Sequence, residues 1–502
     1  MIGSIAFLLL GAAVATATPC ENLTSFRFAD ATMTNAAVIP EGPQPPVYVS
    51  IKPGGVRTPR APAQPIPAHC RVQMVLKPTT DSLITMELWL PTENWNRKFM
   101  GVGNGGFGGT ILGLALDMPQ ALRLGYATAG TDTGHQEQGG KWAIGHPEKL
   151  IDFAYRSTHE MTLKAKQVIK AFYGQKPKYS YFKGCSTGGR EALMEAQRNP
   201  GDDDGIIAGS PADRHIHRWA AEVARSIQLS THPEEDLTAE KAALMQQRVM
   251  NACDTLREGF LSNPHQCKVD FSKLLCAPDK DDGTWLTAPQ MKTIEAYCGG
   301  VKNSNRELIF SGQALGNGIG PQRGMNEEPT GVFDIVRIAY NDPKLEWQKF
   351  DLDRDMPIID KAIGYIEAVN PDLKKFKTHG GKLLLTHGRA DTGVTPETTI
   401  WCYDSVLDKM GKDQSNWMRL FMVPGMGHCG KGPGPITSDS VGAMEKWTEK
   451  GISPDHLMGT GARGIIRPLR PYPQHAKYKG TGDLEESANW TCKMPDPEVK
   501  SN

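Results

Sequence analysis

The sequence predicts an α/β fold: a mostly parallel sheet covered by helices and split by a long insertion. Three observations predict it. Short apolar runs alternate with helical periodicities as far as Ala212, the rhythm breaks near Asp213, and it resumes near Asp355. A chain of 502 residues is long enough for two or three domains, or for one large core with an insertion.

The N-terminus reads as a leader over residues 1–17. Ile5 to Ala15 is apolar but too short to span a bilayer, and Ala15-Thr16-Ala17 has the form of a cleavage site. A buried N-terminal strand or helix is the alternative. No later stretch approaches the ~18 apolar residues a membrane helix needs, so the mature protein is expected to be soluble. The 56 basic and 56 acidic residues cancel. That balance excludes the electrostatic footprint of a nucleic-acid binder or a polybasic membrane-surface protein. From Thr18 to about Pro67 the chain is rich in Pro and Gly, and reads as an extended segment wrapped over the first core part, 18–212.

Ser82 to Leu90 reads as a strand ended by Pro91, and Lys98 to Val102 as a second strand that empties into the glycine loop Asn104 to Gly109. Leu124 to Thr131 suggests a third. Lys149 to Phe172 has helical periodicity, followed by a strand at Tyr179 to Phe182, a helix from about Arg190 to Arg198, and a strand over GIIAGSPA, Gly205 to Ala212. Residues 213–354 form the predicted insertion, a lid, with four of the ten cysteines. The second core part, 355–492, carries strands at Lys382 to Thr386 and Arg419 to Val423. Residues 493–502 read as a loose tail.

Between the strand at Tyr179 and the following helix stands Gly184-Cys185-Ser186-Thr187-Gly188. This Gly-x-Ser-x-Gly sequence, in a strand–turn–helix setting, fits a nucleophile elbow, in which small residues permit the sharp turn. A serine hydroxyl is a weak nucleophile at neutral pH and needs a base and a group to orient that base. Asp391 follows the strand KLLLT, and His428 follows the strand RLFMV. Serine, acid, histidine is the α/β-hydrolase order, and both groups sit past the C-terminal ends of strands, where open α/β sheets build their sites. His387 and His135 are alternative bases. The oxyanion donors expected are the N–H of Thr187 and those of Gly105 and Gly106. The same glycine run resembles a phosphate-binding fingerprint, but it lacks the following helix and the ribose-binding acid.

Ten cysteines, Cys20, Cys70, Cys185, Cys253, Cys267, Cys276, Cys298, Cys402, Cys429 and Cys492, all lie past the leader. None has zinc-site spacing, so disulfides in an oxidising compartment are expected. Cys185 precedes Ser186 and Cys429 follows His428. If that serine and histidine meet, a Cys185–Cys429 bridge is geometrically reasonable and would staple the two loops. Otherwise each binds elsewhere.

Together GCSTGGREAL, HGRAD, PGMGHC, HCRV, GVGNGG, ATAGTDTGH and RPYPQHAKYKGTGD resemble the tannase and feruloyl esterase family over nearly the whole mature chain. The resemblance implies an α/β-hydrolase core with an inserted lid and roles for Cys185, Ser186, Asp391, His428 and Cys429. It also implies the pairs Cys20–Cys70 and Cys253–Cys267, and hydrolysis of aromatic-acid esters, free or carried on plant polysaccharide or tannin. Such an enzyme would be a secreted or periplasmic serine carboxylesterase of feruloyl type. Tannin acyl hydrolase, terephthalate-monoester hydrolase, a peptidase on the same fold, and an inactive binding protein are the alternatives.

Three departures stand out. Family members usually bind calcium in a lid loop spaced Cys-Asp-x-x-Asp-Gly-x-x-Asp-Gly, whereas CDTLREGFLSNPHQC offers only Asp254 and Glu258, so no metal or cofactor is expected. Arg470 stands where the family commonly has the partner of the last cysteine, which leaves Cys402 for Cys492 and Cys276 for Cys298 by elimination. Arg389 takes a position often aromatic, and either binds a carboxylate-bearing substrate or is a solvated loop arginine.

Overall fold

The computed structural model describes residues 18–43, 64–111, 113, 117–137, 139–276, 285–316, 328–329 and 331–494. The leader at 1–17, residues 44–63 of the Pro-rich stretch and residues 495–502 of the tail lie outside them. Among the described residues no helix is long and apolar enough to cross a membrane.

Nine strands form the central sheet. They are β1 (Ala31–Ile39), β2 (His69–Leu76), β3 (Ile84–Pro91), β4 (Lys98–Val102), β5 (Ala127–Thr131), β6 (Tyr179–Cys185), β7 (Gly205–Gly209) and, after the short insertion pair β8 (Val301–Lys302) and β9 (Leu308–Phe310), β10 (Lys382–Gly388) and β11 (Met418–Val423). Their order is β1-β2-β3-β5-β4-β6-β7-β10-β11. From β5 to β11 every pair is parallel, while β1, β2 and β3 extend the sheet antiparallel. The central strands are apolar on both faces because both are covered. Phe99, Phe182, Ile206, Leu383, Leu385 and Leu420 point into one buried cluster. Their neighbours Met100, Tyr181, Ile207, Leu384 and Phe421 point into the other. The first cluster takes in helix residues Met161, Ala165, Leu193 and Val406, and the second Met118, Leu122, Met444 and Trp447.

The extended N-terminal segment is more than a wrapping. Cys20–Cys70 ties its first turn to β2, and β1 pairs antiparallel with β2 from Ala31 with Leu76 to Ile39 with His69, with a bulge between Met33 and Asn35 where the register shifts by one residue. The helix expected from Lys149 is continuous to Tyr173 but opens into a π turn at Asp152–Arg156. Arg190, fully buried, donates to the Phe153 and Ala154 carbonyls there, giving those groups a partner the α ladder would otherwise supply. The strand expected to Ala212 ends at Gly209, because Ser210 turns with φ of 36°.

Between β7 and β10 the chain leaves the sheet. Its helices His215–Thr231, Asp334–Tyr340 and Leu352–Ile363 share a cluster with Trp142, Phe153 and Ala154 of the core. The predicted boundary at 354 thus falls inside a helix. Farther out, Leu237, Met245, Leu286 and Ile294 make a small core of their own. Cys253–Cys267 closes a loop of this region. The two pairs reached by elimination do not form: Cys276, Cys298, Cys402 and Cys492 carry free thiols. Cys402 is buried in the main core on the helix Pro396–Met410, while Cys492 is exposed on a strand of a separate two-stranded sheet, so they occupy different regions.

Candidate active site

At the end of β6 the chain enters the helix Thr187–Arg198 through Ser186, whose backbone stands at φ 64° and ψ −123°. For a residue with a Cβ this is a strained region, held by the surroundings. Ser186 N–H donates to Gly209 O (3.0 Å), and Ser186 O accepts from Arg190 N–H and Ala212 N–H (3.0 Å each). The close packing behind the turn explains the flanking glycines. A Cβ on Gly184 would stand 2.2 Å from Gly188 O, and one on Gly188 would stand 2.8 Å from Asn104 O.

The glycine loop after β4 lies against that helix start. Gly188 N–H donates to Asn104 O (2.8 Å), and the Thr187 hydroxyl donates to Gly106 O (2.6 Å). The N–H groups of Thr187, Gly105 and Gly106 have no acceptor among the described residues. Behind the loop, Glu191 accepts the Asn104 N–H (2.9 Å). Burial pushes its carboxyl up to about 7, against the pull of Arg190 and of that N–H. The motif reading missed Glu191; its only signal was a carboxylate one turn into an apolar-faced helix.

Asp391 and His428 extend from the ends of β10 and β11. His428 Nδ1 and Asp391 Oδ2 are 2.8 Å apart. Asp391 Oδ1 accepts from Gly393 N–H (2.8 Å) and Val394 N–H (2.9 Å). His387 lies underneath, fully buried, with Nε2 at 3.3 Å from Asp391 Oδ2 and 3.0 Å from Val394 O, and Nδ1 at 2.7 Å from the Thr399 hydroxyl. Burial alone would push the Asp391 carboxyl up, but the bonds from His387 and His428 outweigh it and hold the group well below the usual carboxylate range. A ring enclosed on both nitrogens orients Asp391 rather than moving protons, so His387 is a support. His135 is stacked on Trp142 (3.7 Å) and buried, and its pKa is pushed down to about 3 by burial, so it stays neutral.

A Cys185–Cys429 disulfide, Cα–Cα 6.0 Å, joins the residue before Ser186 to the residue after His428. The insertion touches both loops: Trp219 stacks on Phe107 of the glycine loop (4.1 Å), Arg218 Nε donates to Gly393 O (2.5 Å), and Thr395 donates to Gly312 O (2.9 Å).

This arrangement can activate a serine and receive an oxyanion at backbone N–H groups. The family model for tannase and feruloyl esterase matches residues 70–327 and 330–493.

The chain belongs to the tannase and feruloyl esterase family.

An uncharacterized esterase of Xanthomonas campestris is 32% identical, with 85% of this chain and 84% of the relative covered. A probable feruloyl esterase B of Emericella nidulans is 31% identical, with 84% and 86% covered. The crystal structure of feruloyl esterase B from Aspergillus oryzae superposes with a TM-score of 0.84 at 27% identity, covering 94% of this chain and 99% of that one. Membership makes the chain a carboxylic ester hydrolase with an α/β-hydrolase fold.

The calcium known from the family does not fit the residues present. Asp254 accepts from Glu258 N–H (3.2 Å) and Gly259 N–H (2.8 Å), and Glu258 is paired with Arg467. These two carboxylates are already committed, and calcium needs six to eight oxygens. Elsewhere, His159, Glu195 and Asp202 bring ligand atoms within 4.8 Å of one another. They gather toward the far end of the helix that Ser186 begins, where His159 Nδ1 pairs with Asp202 (2.6 Å). Arg389 is not a solvated loop residue. It is 5% exposed and lines a cleft with Arg467 and Arg470.

Proposed function

We propose that this esterase is a secreted or periplasmic enzyme that cleaves esters of phenolic acids through an acyl-enzyme on Ser186. The observation that carries the reading is the Asp391–His428 hydrogen bond, stapled by Cys185–Cys429 to a serine in the elbow conformation. In the proposed reaction His428 takes the Ser186 proton through Nε2 as the oxygen attacks the ester carbonyl. Asp391, anionic throughout, fixes the Nδ1–H tautomer and stabilises the imidazolium. The tetrahedral oxyanion lies against the Thr187 N–H and a Gly105 or Gly106 N–H. Collapse expels the alcohol, which takes the proton from His428. Water, activated by the same histidine, then releases the acid. No metal or cofactor enters these steps.

An aromatic substrate is supported by the apolar setting of the glycine loop, whose partly buried Phe107 is stacked on Trp219 of the insertion. The named relatives, feruloyl esterases, support a phenolic acyl group. Three disulfides support an oxidising compartment. The test is turnover of methyl ferulate, methyl gallate and a terephthalate monoester by wild type and Ser186→Ala. A loss of about a thousandfold or more on alanine substitution, with methyl ferulate the best substrate, is expected. An unchanged rate in the variant sinks the mechanism, and a preference for gallate or terephthalate sinks the substrate assignment.

A further inference from the structure

Three arginines converge on one small cleft between the end of β10 and the C-terminal segment. Arg389, Arg467 and Arg470 line it together with Ser262, Gln474 and His475. Arg389 is the unusual one. It is 5% exposed, and no hydrogen bond or ion pair to its guanidinium is found among the described residues, while its nitrogens, unlike Nε of Arg467 and Arg470, are not fully enclosed. Burial pushes its pKa down to about 10, and only Tyr472 and Glu397, acting through space, pull the other way. Arg467 is fully buried, stacked on Trp490 with 3.5 Å to the ring centre, and paired with Glu258. Among the described residues its Nε nevertheless has no hydrogen-bond partner, and neither has the buried Nε of Arg470.

Buried cations in proteins are paired, and a planar guanidinium with five donors is built to receive an anion. The acids near the cleft do not supply enough charge. Glu258 pairs with Arg467. Glu397 lies against the Thr395 hydroxyl and 3.4 Å from His265, and Asp455, mostly exposed, faces His456 while acting on Arg470 from a distance. Among the described residues, these three guanidinium groups therefore meet one contacting carboxylate, Glu258.

We propose that this cleft binds a small monovalent anion, a halide or a carboxylate head, between Arg389, Arg467 and Arg470. Its size points to the class: the enclosed space is about that of one water, which suits chloride or formate better than a phosphate ester. The anion would join three parts of the chain. Arg389 sits two residues before Asp391, Glu258 and Ser262 belong to the Cys253–Cys267 loop, and Arg467 and Arg470 belong to the C-terminal segment. The inference is independent of the reaction proposed for Ser186.

The experiment is thermal unfolding of the full chain in sodium gluconate at fixed ionic strength, titrated with sodium chloride, bromide or formate. A saturable rise in Tm, of about 3 °C at a hundredfold excess over Kd, is expected for wild type. It should vanish in Arg389→Met and weaken in Arg470→Gln. A response that does not saturate, or one that persists unchanged in Arg389→Met, overturns the proposal. Should Arg389→Met fail to fold, bromide-soaked crystals of wild type decide it. An anomalous peak between Arg389 and Arg470 supports the site, and its absence overturns it. Kinetics identify the source of a carboxylate: KM for an acid-bearing ester rises with chloride if the substrate's own carboxylate occupies the cleft, and stays constant if a free ion does.

Discussion

Replacing Cys185 and Cys429 together by alanine should cost activity out of proportion to stability. The bridge joins residues 244 apart in sequence. In the chain-entropy treatment, closing a loop of that length is worth about 5 kcal/mol. Unfolding entropy of about 2.1 cal/mol/K per residue, over 502 residues, gives about 1 kcal/mol/K, so Tm should fall by about 5 °C. At 25 °C the double variant stays folded, yet the turns bearing Ser186 and His428 are no longer tied. A shift of an ångström between reacting groups costs up to about a hundredfold, so kcat should drop by tenfold to a hundredfold. Cys20–Cys70 is the control. It spans 50 residues far from the site, and by the same arithmetic its removal lowers Tm by about 4 °C and leaves kcat alone. The measurements are calorimetry and steady-state kinetics with methyl ferulate on both double variants. If the Cys185/Cys429 variant loses its 5 °C and keeps wild-type kcat, the bridge constrains the fold and does not align the site.

Glu191→Gln should stabilise the protein at alkaline pH. The folded carboxyl, raised to about 7, sits above its ordinary value near 4.5. The native state therefore holds the proton more tightly, and the charge costs stability progressively as pH rises from about 4.5 to 7, reaching about 3 kcal/mol above that. Urea denaturation at pH 5 and pH 8 should show a gain only at pH 8, and equal loss at both would contradict this. Gly103→Ala places a Cβ 2.5 Å from Gly188 Cα, so it should cost about 1–3 kcal/mol and displace the loop, with kcat falling more than KM rises. EDTA should leave Tm unchanged, whereas Glu258→Gln should lower it by breaking the Arg467 pair; a chelator-sensitive Tm would show that a metal holds the chain.

The strands that place the candidate site were legible because both their faces are buried. FMGV, LLL and LFMV are apolar runs that lead to the glycine loop, to Asp391 and to His428, while Ser186 follows the more polar YSYFKGC and was legible from its Gly-x-Ser-x-Gly motif. The edge was not legible. In ATMTNAAVI only Met33 and Ala36 are buried, so β1 has too little apolar periodicity to separate it from the Pro-rich stretch around it. The π turn was hidden as well, since its cause is a guanidinium arriving from another helix. Counting cysteines misled because an even number does not require pairing: Cys402 is simply a small apolar side chain in a core. Arg389 and Arg470, read separately as departures, meet in one cleft only because the fold brings β10 beside the C-terminal segment.

The placement of the insertion between neighbouring strands sets the order of assembly. β7 and β10 lie side by side, yet the whole excursion from Gly209 to Lys382 separates them. The ribosome therefore releases Ser186 long before Asp391 and His428 exist, and the half-sheet ending at β7 offers an unpaired edge until then. Such long-range parallel pairing is slow. If Ser186 and His428 act together as proposed, hydrolytic competence is a late acquisition of the nascent chain, and a truncation between β7 and β11 leaves a scaffold that carries the serine without the histidine.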